Sequence, residues 1–263
     1  MDLGLRGRRA LITGGSRGIG FAVAEALAAE GAAVGLVARD ADGLAAAAGQ
    51  LESRSVPVAT AAADVTDTPA LQRAVAEIAT ALGGLDHLVA NAGGTVGTGN
   101  LTSAADDEFT ATFALNAGHA VELIRAGRPH LQAAGGGAVV IISSVTGMRP
   151  APRTAYAAAK AAEIHLAATA AQELAPDRIR VNAVSPGSIM FPGGGWDRFR
   201  AENPQGFAAF LGSQFPFGRL GRLDEVGDVV AFLLSRRASW ITGANIVVDG
   251  GQGYPSARRF GTP

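Results

Sequence analysis

The side chains best suited to chemistry are one tyrosine and the single lysine of the chain. Tyr156 is one of two tyrosines, and Lys160 follows it by four residues. On a helix these positions share one face, and an ammonium beside a phenol favours the phenolate form. Such a pair suits a general acid or base, although a half-buried tyrosine and a surface-reaching lysine on an alanine-rich helix would give the same spacing. The serines Ser143 and Ser144 lie upstream, where a hydroxyl could hydrogen-bond a substrate oxygen that develops charge.

A second chemical signal is the glycine-rich turn TGGSRGIG at residues 13–20, between a predicted strand and a predicted helix. Glycine lets the backbone approach a pyrophosphate, which binds at the positive N-terminus of the helix. The spacing is not the usual GxGxxG, and a tight turn without a ligand is the alternative. We expect phosphate binding, because the strand before the turn and the helix after it supply the required context. The turn residues predicted to bind are Gly14, Ser16, Arg17, Gly18, Ile19 and Gly20.

The residues after the second predicted strand bear on the choice of nucleotide. Asp40 lies 20 residues beyond Gly20, where an acid could hold a ribose hydroxyl and favour NAD. Arg39 comes first after the strand, however, and with Arg17 it could clamp a 2′-phosphate. We interpret Asp40 as a helix cap instead. The sequence therefore favours NADP(H), with NAD(H) as the alternative.

Short apolar runs alternate with longer helical patterns along the whole chain. Such alternation predicts βαβ units and a parallel sheet with helices on both faces. We expect an α/β fold, a single doubly wound Rossmann domain over residues 1–263 with seven parallel strands. The predicted strands are residues 8–13, 33–38, 56–61, 86–90, 138–142, 180–184 and 244–248. The predicted helices are residues 19–30, 42–52, 67–82, 104–132, 154–174 and 224–235.

Residues 187–218 interrupt this alternation. They contain three consecutive glycines, yet they also hold six of the 11 phenylalanines and Trp196. A polar connector would not concentrate aromatic side chains, and long apolar insertions often form active-site lids. We expect a substrate lid here; packing on the main core or on a subunit interface is the alternative.

Composition excludes several classes of protein. The 22 basic and 23 acidic residues leave no basic surplus for nucleic acid or an anionic membrane. The absence of cysteine removes thiol nucleophiles and Cys-ligated metals, and the four histidines have no metal-ligand spacing. No signal peptide or membrane span is apparent, so we expect a cytoplasmic protein without a metal. The tail at 254–263 is predicted either to reach a neighbouring subunit or to fray.

Taken together, these motifs resemble the short-chain dehydrogenase/reductase family, in its TGxxxGxG and YxxxK branch, including its 3-oxoacyl reductases. The resemblance covers nearly the whole chain in order. Beyond the glycine turn, the matching residues are Asp64 and Val65, Asn91, Ala92 and Gly93, Asn116, Ser144, Tyr156, Lys160, and Pro186 and Gly187.

The resemblance implies a role for each matching residue. Tyr156 would exchange a proton with a carbonyl or alcohol oxygen that Ser144 orients, and Lys160 would ease that exchange and bind the nicotinamide ribose. Asn116 would support a water leading from Lys160 towards solvent. Asp64 and Val65 would hold the adenine. Three residues, Pro186, Gly187 and Ile189, would line the nicotinamide pocket. The family also implies a homo-oligomer, a tetramer or dimer.

Two departures from the family pattern concern the serine and the lid. The usual spacing of 13 residues to the tyrosine would select Ser143, whereas the local string Ser-Val-Thr-Gly aligns Ser144, which we prefer. The threonine that often follows the Pro-Gly turn has no obvious counterpart in Ser188-Ile189-Met190-Phe191.

The sequence thus predicts an NADP(H)-dependent oxidoreductase that reduces a small-molecule ketone or a 3-oxoacyl thioester. The alternatives are an NAD-dependent alcohol dehydrogenase of the same family and a non-catalytic nucleotide-binding scaffold. A methyltransferase would not need Ser144, Tyr156 and Lys160 together. An enoyl reductase usually spaces its tyrosine and lysine more widely than four residues.

Overall fold

The computed structural model describes residues 2–253, and the predicted behaviour of the tail at 254–263 lies outside the described residues. Within this range seven strands form one sheet in the order β3-β2-β1-β4-β5-β6-β7. Every neighbouring pair is parallel, as the sequence predicts. The strands are β1 Arg9–Thr13, β2 Ala33–Ala38, β3 Val58–Ala62, β4 His87–Ala90, β5 Gly137–Ile142, β6 Ile179–Pro186 and β7 Asn245–Val248.

Helices cover both faces of the sheet, because each parallel strand returns through a crossover. Their apolar faces divide the core in two. One cluster joins α3, α5 and α6 to the sheet, and the other joins α1, α2 and α9 to the opposite face. The helices are α1 Gly18–Ala29, α2 Ala41–Leu51, α3 Thr68–Leu82, α4 Glu108–Phe113, α5 His119–Ala133, α6 Thr154–Glu173, α7 Gly195–Glu202, α8 Pro204–Gln214 and α9 Leu223–Leu234.

Helix α3 shows how local sequence sets these boundaries. The Asp67 side chain accepts a hydrogen bond from the Ala70 amide, and a proline occupies the first turn, where its missing N–H is not needed. The helix ends at Gly83, whose φ of 75° is in the left-handed region that favours glycine. The predicted helix at 67–82 is therefore nearly the observed one.

The helix predicted at residues 104–132 begins later and is interrupted. Helix α4 starts at Glu108, and a π turn at Ala114–Gly118 separates it from α5. Such turns are often found at functional sites, and this one contains Asn116. Periodicity alone did not reveal it, because one extra residue barely alters a helical pattern.

Residues 187–218, the segment predicted to form a lid, are folded rather than looped. It contains α7 and α8, and every residue of these two helices is at least partly exposed. Their aromatic side chains contact one another: the Trp196 and Phe210 rings stack with centroids 4.6 Å apart, and Phe215 meets the edge of Phe210 at 5.4 Å. We name these three residues the aromatic cluster of the lid.

The strand order changes direction between β1 and β4, since β3 lies at one edge and the chain then returns to pair β4 with β1. The carboxyl ends of strands at such a switch point leave a crevice, which is the usual ligand site of an open α/β sheet. This crevice positions the candidate site.

Candidate active site

A groove with a volume of about 640 Å³ runs along the carboxyl ends of the strands. It brings together most of the residues that the sequence predicts for the site. Those that line it are Gly14, Ser16, Arg17, Gly18, Ile19, Arg39, Asp64, Val65, Asn91, Ala92, Gly93, Ser144, Tyr156, Lys160, Pro186 and Gly187.

The glycine turn needs glycine for contact reasons as well as for conformation. Gly14 has a φ of 66°, and a Cβ there would lie 2.8 Å from the Asn91 amide nitrogen. A Cβ at Gly20 would collide with the carbonyl of Gly14, so Gly20 shapes the turn without lining the groove. The Asn91 side chain donates to the carbonyls of Thr13, at 2.9 Å, and Gly14, at 3.2 Å. Asn91 therefore ties the turn to the end of β4.

The N-terminus of α1 opens into the groove beside this turn. Its N-cap residue is Arg17, and among the described residues no side chain accepts a capping hydrogen bond from the first turn. The unpaired N–H groups and the helix dipole favour an anion. This arrangement fits the pyrophosphate of a dinucleotide.

Opposite charges meet at the end of the groove where β2 and β3 finish. The exposed Arg39 guanidinium lies 3.9 Å from the Asp64 carboxylate. Hydrogen bonds from the Thr66 amide and hydroxyl, with a smaller contribution from Arg39, lower the pKa of Asp64. Asp40 occupies the N-cap position of α2 as expected, but within the described structure its side chain makes no capping bond. Instead Asp40 also lines the groove, so an acid and a base both face the nucleotide end.

The two serines after β5 face different surroundings. The Ser143 hydroxyl is buried and donates to the Lys160 carbonyl at 2.7 Å. The Ser144 hydroxyl is half-buried and accepts from the Thr146 amide and hydroxyl, at 3.2 and 3.0 Å. Both residues border the groove, but the Ser143 hydroxyl already donates its hydrogen bond to the backbone of α6. The geometry therefore favours Ser144 as the serine that could meet a substrate.

Lys160 is buried at the inner wall of the groove, where its side chain has three neighbours. Its Nζ donates to the Ile142 carbonyl at 2.9 Å and to Glu163 Oε1 at 3.1 Å. It also lies 5.5 Å from the centroid of the Tyr156 ring. The ammonium thus lies over the face of the Tyr156 ring, at a distance typical of a cation–π contact. The sequence pattern around Glu163 gives no sign that it would lie beside Lys160 in the interior.

Asn116 lies behind the groove rather than on its wall. Its amide nitrogen donates to the carbonyls of Thr112, at 2.7 Å, and Gly94, at 2.8 Å, and its oxygen accepts from the Gly94 amide at 3.2 Å. The bonds to Gly94 hold the irregular segment that follows β4 against the π turn. The side chain of Asn116 therefore shapes the wall beside Lys160, and its expected support of a water stays a prediction.

Gly93 lies where Asn116 and Lys160 come closest to the groove wall. A Cβ at Gly93 would lie 2.6 Å from Asn116 Oδ1 and 3.1 Å from Lys160 Nζ, whereas one at Gly94 would meet a single leucine carbon at 3.9 Å. We expect Gly93→Ala to displace both side chains and to destabilise the fold by about 1–3 kcal/mol, while Gly94→Ala is tolerated. Urea unfolding of both variants checks this; equal stabilities would contradict the close approach.

The buried histidine next to this site is uncharged. Burial first, and then the Lys160 ammonium, lower the pKa of His119 to about 4. Its ring contacts the Leu115 carbonyl at 2.8 Å and the Thr13 hydroxyl at 3.2 Å, which is a packing role. In residues 2–253 no group of three or more His, Asp or Glu side chains could hold a metal ion.

The groove also differs from the sequence prediction at its lid side. Ile189 is buried beside Gly221, outside the groove lining, so its predicted contact with nicotinamide is not apparent here. Phe191 does line the groove and lies next to Gly18. Its aromatic character was a signal, but the sequence could not show which lid aromatic turns towards the glycine turn.

Comparison with known proteins agrees with this geometry. Residues 14–252 match a family model described as enoyl-(acyl carrier protein) reductase. A tropinone reductase homolog from Arabidopsis thaliana is 36% identical over 249 residues, which is 94% of this chain and 90% of that protein. L-sorbose reductase from Gluconobacter frateurii, solved with NADPH and L-sorbose, is 34% identical with a TM-score of 0.90, covering 97% of this chain and 100% of that one. A 7α-hydroxysteroid dehydrogenase solved with NADH is 28% identical with a TM-score of 0.87, covering 95% and 96%.

The chain therefore belongs to the short-chain dehydrogenase/reductase family. It is an oxidoreductase of the kind that acts on alcohol or ketone groups with a nicotinamide cofactor. The cofactors named for these two structures are NADPH in one and NADH in the other. In the part of the chain that the structure describes, no helix is long and apolar enough to cross a membrane.

Proposed function

We propose that this protein is an NADP(H)-dependent reductase of ketones, including 3-oxoacyl thioesters. One observation carries the proposal: a single groove joins the uncapped N-terminus of α1 and Arg39 at one end to Ser144, Tyr156 and Lys160 at the other. The first end suits a phosphorylated dinucleotide, and the second suits proton transfer to an oxygen.

A bound nicotinamide cofactor would supply or accept the hydride, and the residues of this chain would handle binding and the proton. The glycine turn and α1 would hold the pyrophosphate, and Asp64 and Val65 would border the adenine. Gly93 and Lys160 would lie beside the nicotinamide ribose, with Pro186 and Gly187 along the nicotinamide.

Proton transfer would be the task of Tyr156. In reduction its hydroxyl would donate a proton to the substrate oxygen as the carbonyl carbon gains a hydride, and in oxidation its phenolate would take that proton back. The Lys160 ammonium, 5.5 Å from the ring centroid, would offset the negative charge that develops on the phenol oxygen during the transfer. Ser144 would orient and polarise the oxygen with its hydroxyl.

The second candidate is an NAD-dependent alcohol dehydrogenase, which the position of Asp40 on the groove wall favours. An acid there could accept a hydrogen bond from a ribose hydroxyl and repel a 2′-phosphate. Arg17 and Arg39 line the same end and favour the phosphate. A non-catalytic scaffold is disfavoured because Ser144, Tyr156 and Lys160 are all present and adjacent.

The lid, the assembly and the location complete the proposal. Residues 187–218 would form a lid over the substrate, with Phe191 facing the groove and the aromatic cluster stiffening the segment. The small side chains at residues 157–171 of α6 would let helices pair closely in a homo-oligomer, a tetramer or dimer. A cytoplasmic location stays a prediction.

The test is a titration of the purified protein with NADPH and with NADH, followed by nicotinamide fluorescence, and then a panel of ketones and 3-oxoacyl thioesters. Tight NADPH binding with turnover of a ketone supports the proposal. Tighter binding of NADH would favour the alcohol dehydrogenase, and binding of neither nucleotide would refute both.

The cofactor preference rests on Arg39, so its charge reversal is informative. We expect Arg39→Asp to weaken NADPH binding by about 10-fold or more, because it removes a charge-assisted hydrogen bond and adds repulsion. NADH binding should change little. Arg73→Asp, on the exposed side of α3, makes the same change in net charge away from the groove and serves as the control. Equal losses for both nucleotides would show that Arg39 does not contact a 2′-phosphate.

A further inference from the structure

A buried carboxyl group lies directly behind the lysine of the groove. Glu163 follows Lys160 by three residues on α6 and is 0% exposed. Its carboxylate oxygens lie 3.1 and 2.9 Å from Lys160 Nζ. The residue does not border the groove, so a cofactor or substrate bound there would meet Lys160 and not Glu163.

The other elements packed against α6 offer Glu163 no competing charge. Of the described elements in contact with this helix, β5, β7, the π turn and the short turn at Val145–Gly147 contain no titratable side chain. Each of the remaining elements in contact with α6 carries a charged group bonded elsewhere. These groups are Glu108 on α4, Asp177 after α6 and Arg180 on β6.

Lys160 has further neighbours besides Glu163, but none of them carries the negative charge that a buried ammonium needs. The neutral His119 ring and the Tyr156 phenol are the titratable groups near its far side. The Ile142 carbonyl accepts one hydrogen bond from Nζ. Glu163 Oε1 accepts a hydrogen bond from Nζ, and Oε2 lies 2.9 Å from Nζ but has no hydrogen-bond partner of its own within the described structure. The lysine is therefore the main partner of this carboxylate.

The charges of the pair depend on each other. Burial opposes the charge of the Lys160 ammonium, but the Glu163 carboxylate and then Tyr156 more than offset it and raise the pKa of Lys160. Burial also raises the pKa of Glu163 to about 7, against the attraction of Lys160. Glu163 is therefore the member of the pair that titrates near neutral pH.

We propose that Glu163 is a positioning residue for the reaction, a buried counter-ion that keeps the Lys160 side chain charged and fixed at the groove wall. This inference rests on the proposed function, because it assigns Lys160 a task in that reaction. Glu163 contacts Lys160 on the side away from the groove. A substitution of Glu163 therefore leaves unchanged the surface that would bind the cofactor.

The test uses the fact that Lys160 is the single lysine. Incorporation of [¹³Cε]lysine gives one side-chain signal, whose pH titration by NMR reports the ionisation of Lys160 without cofactor or substrate. We expect Glu163→Gln to lower the pH at which Lys160 loses its proton by about one unit or more, since burial is no longer offset. Glu173→Gln, at the exposed end of the same helix, should leave the titration unchanged.

The wild-type protein supplies a second, independent measurement. Its Lys160 signal should show an inflection near pH 7, where the Glu163 carboxyl titrates, and this inflection should be absent in Glu163→Gln. If that variant does not fold, Glu163→Asp and the wild-type inflection decide. Identical Lys160 titrations in the foldable variant and in the wild type would overturn the proposal.

Kinetics links the pair to the reaction. The alkaline limb of the kcat/KM profile should move to lower pH by about one unit or more in Glu163→Gln, in step with the lysine titration. Glu163→Asp, which keeps a carboxylate, should move it less. A shifted lysine titration with an unmoved limb would overturn the role in the reaction. A wild-type protein that turns over no ketone would refute the proposed function, while the NMR titration would still report on the pair.

Discussion

Tyr156→Phe is expected to lower kcat for ketone reduction by about 10²–10⁴-fold, the usual contribution of a general acid. The substitution removes one hydroxyl and keeps the half-buried ring beside Lys160, so the wall of the groove should be preserved. NADPH affinity should therefore change by less than about threefold, since a hydroxyl lost from a neutral contact contributes little. Steady-state kinetics and fluorescence titration of NADPH measure the two effects separately.

The control for this variant is Tyr254→Phe, which removes the other tyrosine of the chain. It should retain wild-type turnover. Near-normal kcat in Tyr156→Phe would show that another group transfers the proton. A parallel loss of NADPH binding and turnover would instead indicate a disturbed groove, and the kinetic result would then say nothing about acid catalysis.

Lys160→Met is expected to reduce the free energy of unfolding by about 3–5 kcal/mol, because it leaves the Glu163 carboxylate buried without its partner. The penalty should be largest above pH 7 and smaller at pH 5, where the carboxyl is protonated and neutral. The difference from wild type therefore grows as the pH rises. Urea unfolding at both pH values measures it.

A double substitution separates charge from packing. Lys160→Met with Glu163→Leu replaces the ion pair by apolar side chains, and we expect it to recover most of the lost stability. The cycle formed with the two single variants isolates the interaction between the residues. Activity should stay low in both variants that lack Lys160. No recovery in the double variant would place the loss in packing against Ile142 and Gly93 and not in an unpaired charge.

The sequence predicted the frame of the molecule well because its signals are local. The seven strands are short apolar runs between longer helical patterns, and a parallel sheet with helices on both faces follows directly from that alternation. The glycine turn was equally readable. Gly14 and Gly20 are needed because a Cβ at either position would clash with the Asn91 side chain or with neighbouring backbone. Such requirements fix the spacing of the glycines, and the motif is therefore visible in the sequence.

The features that the sequence did not predict depend on contacts between distant segments. Phe191 is one of several aromatic residues in the segment 187–218. Its position beside Gly18 depends on how this segment packs against the glycine turn. In the sequence, Glu163 has the pattern of a surface acid on an alanine-rich helix. Only the structure shows that Glu163 and Lys160 are both buried. The sequence predicts a side-chain cap at Asp40, but within the described structure its carboxylate makes no such bond, and Asp40 borders the groove instead.

The aromatic cluster of the lid has a consequence for how this enzyme can change over evolutionary time. Trp196, Phe210 and Phe215 find their ring partners within residues 187–218, apart from the two apolar clusters that stabilise the sheet. Substitutions at these three positions can therefore change how α7 and α8 pack on each other without repacking either core cluster. Helices α7 and α8 are thus free to diverge in sequence, whereas Ile189 and Phe191 of the same segment are tied to the core and to the glycine turn.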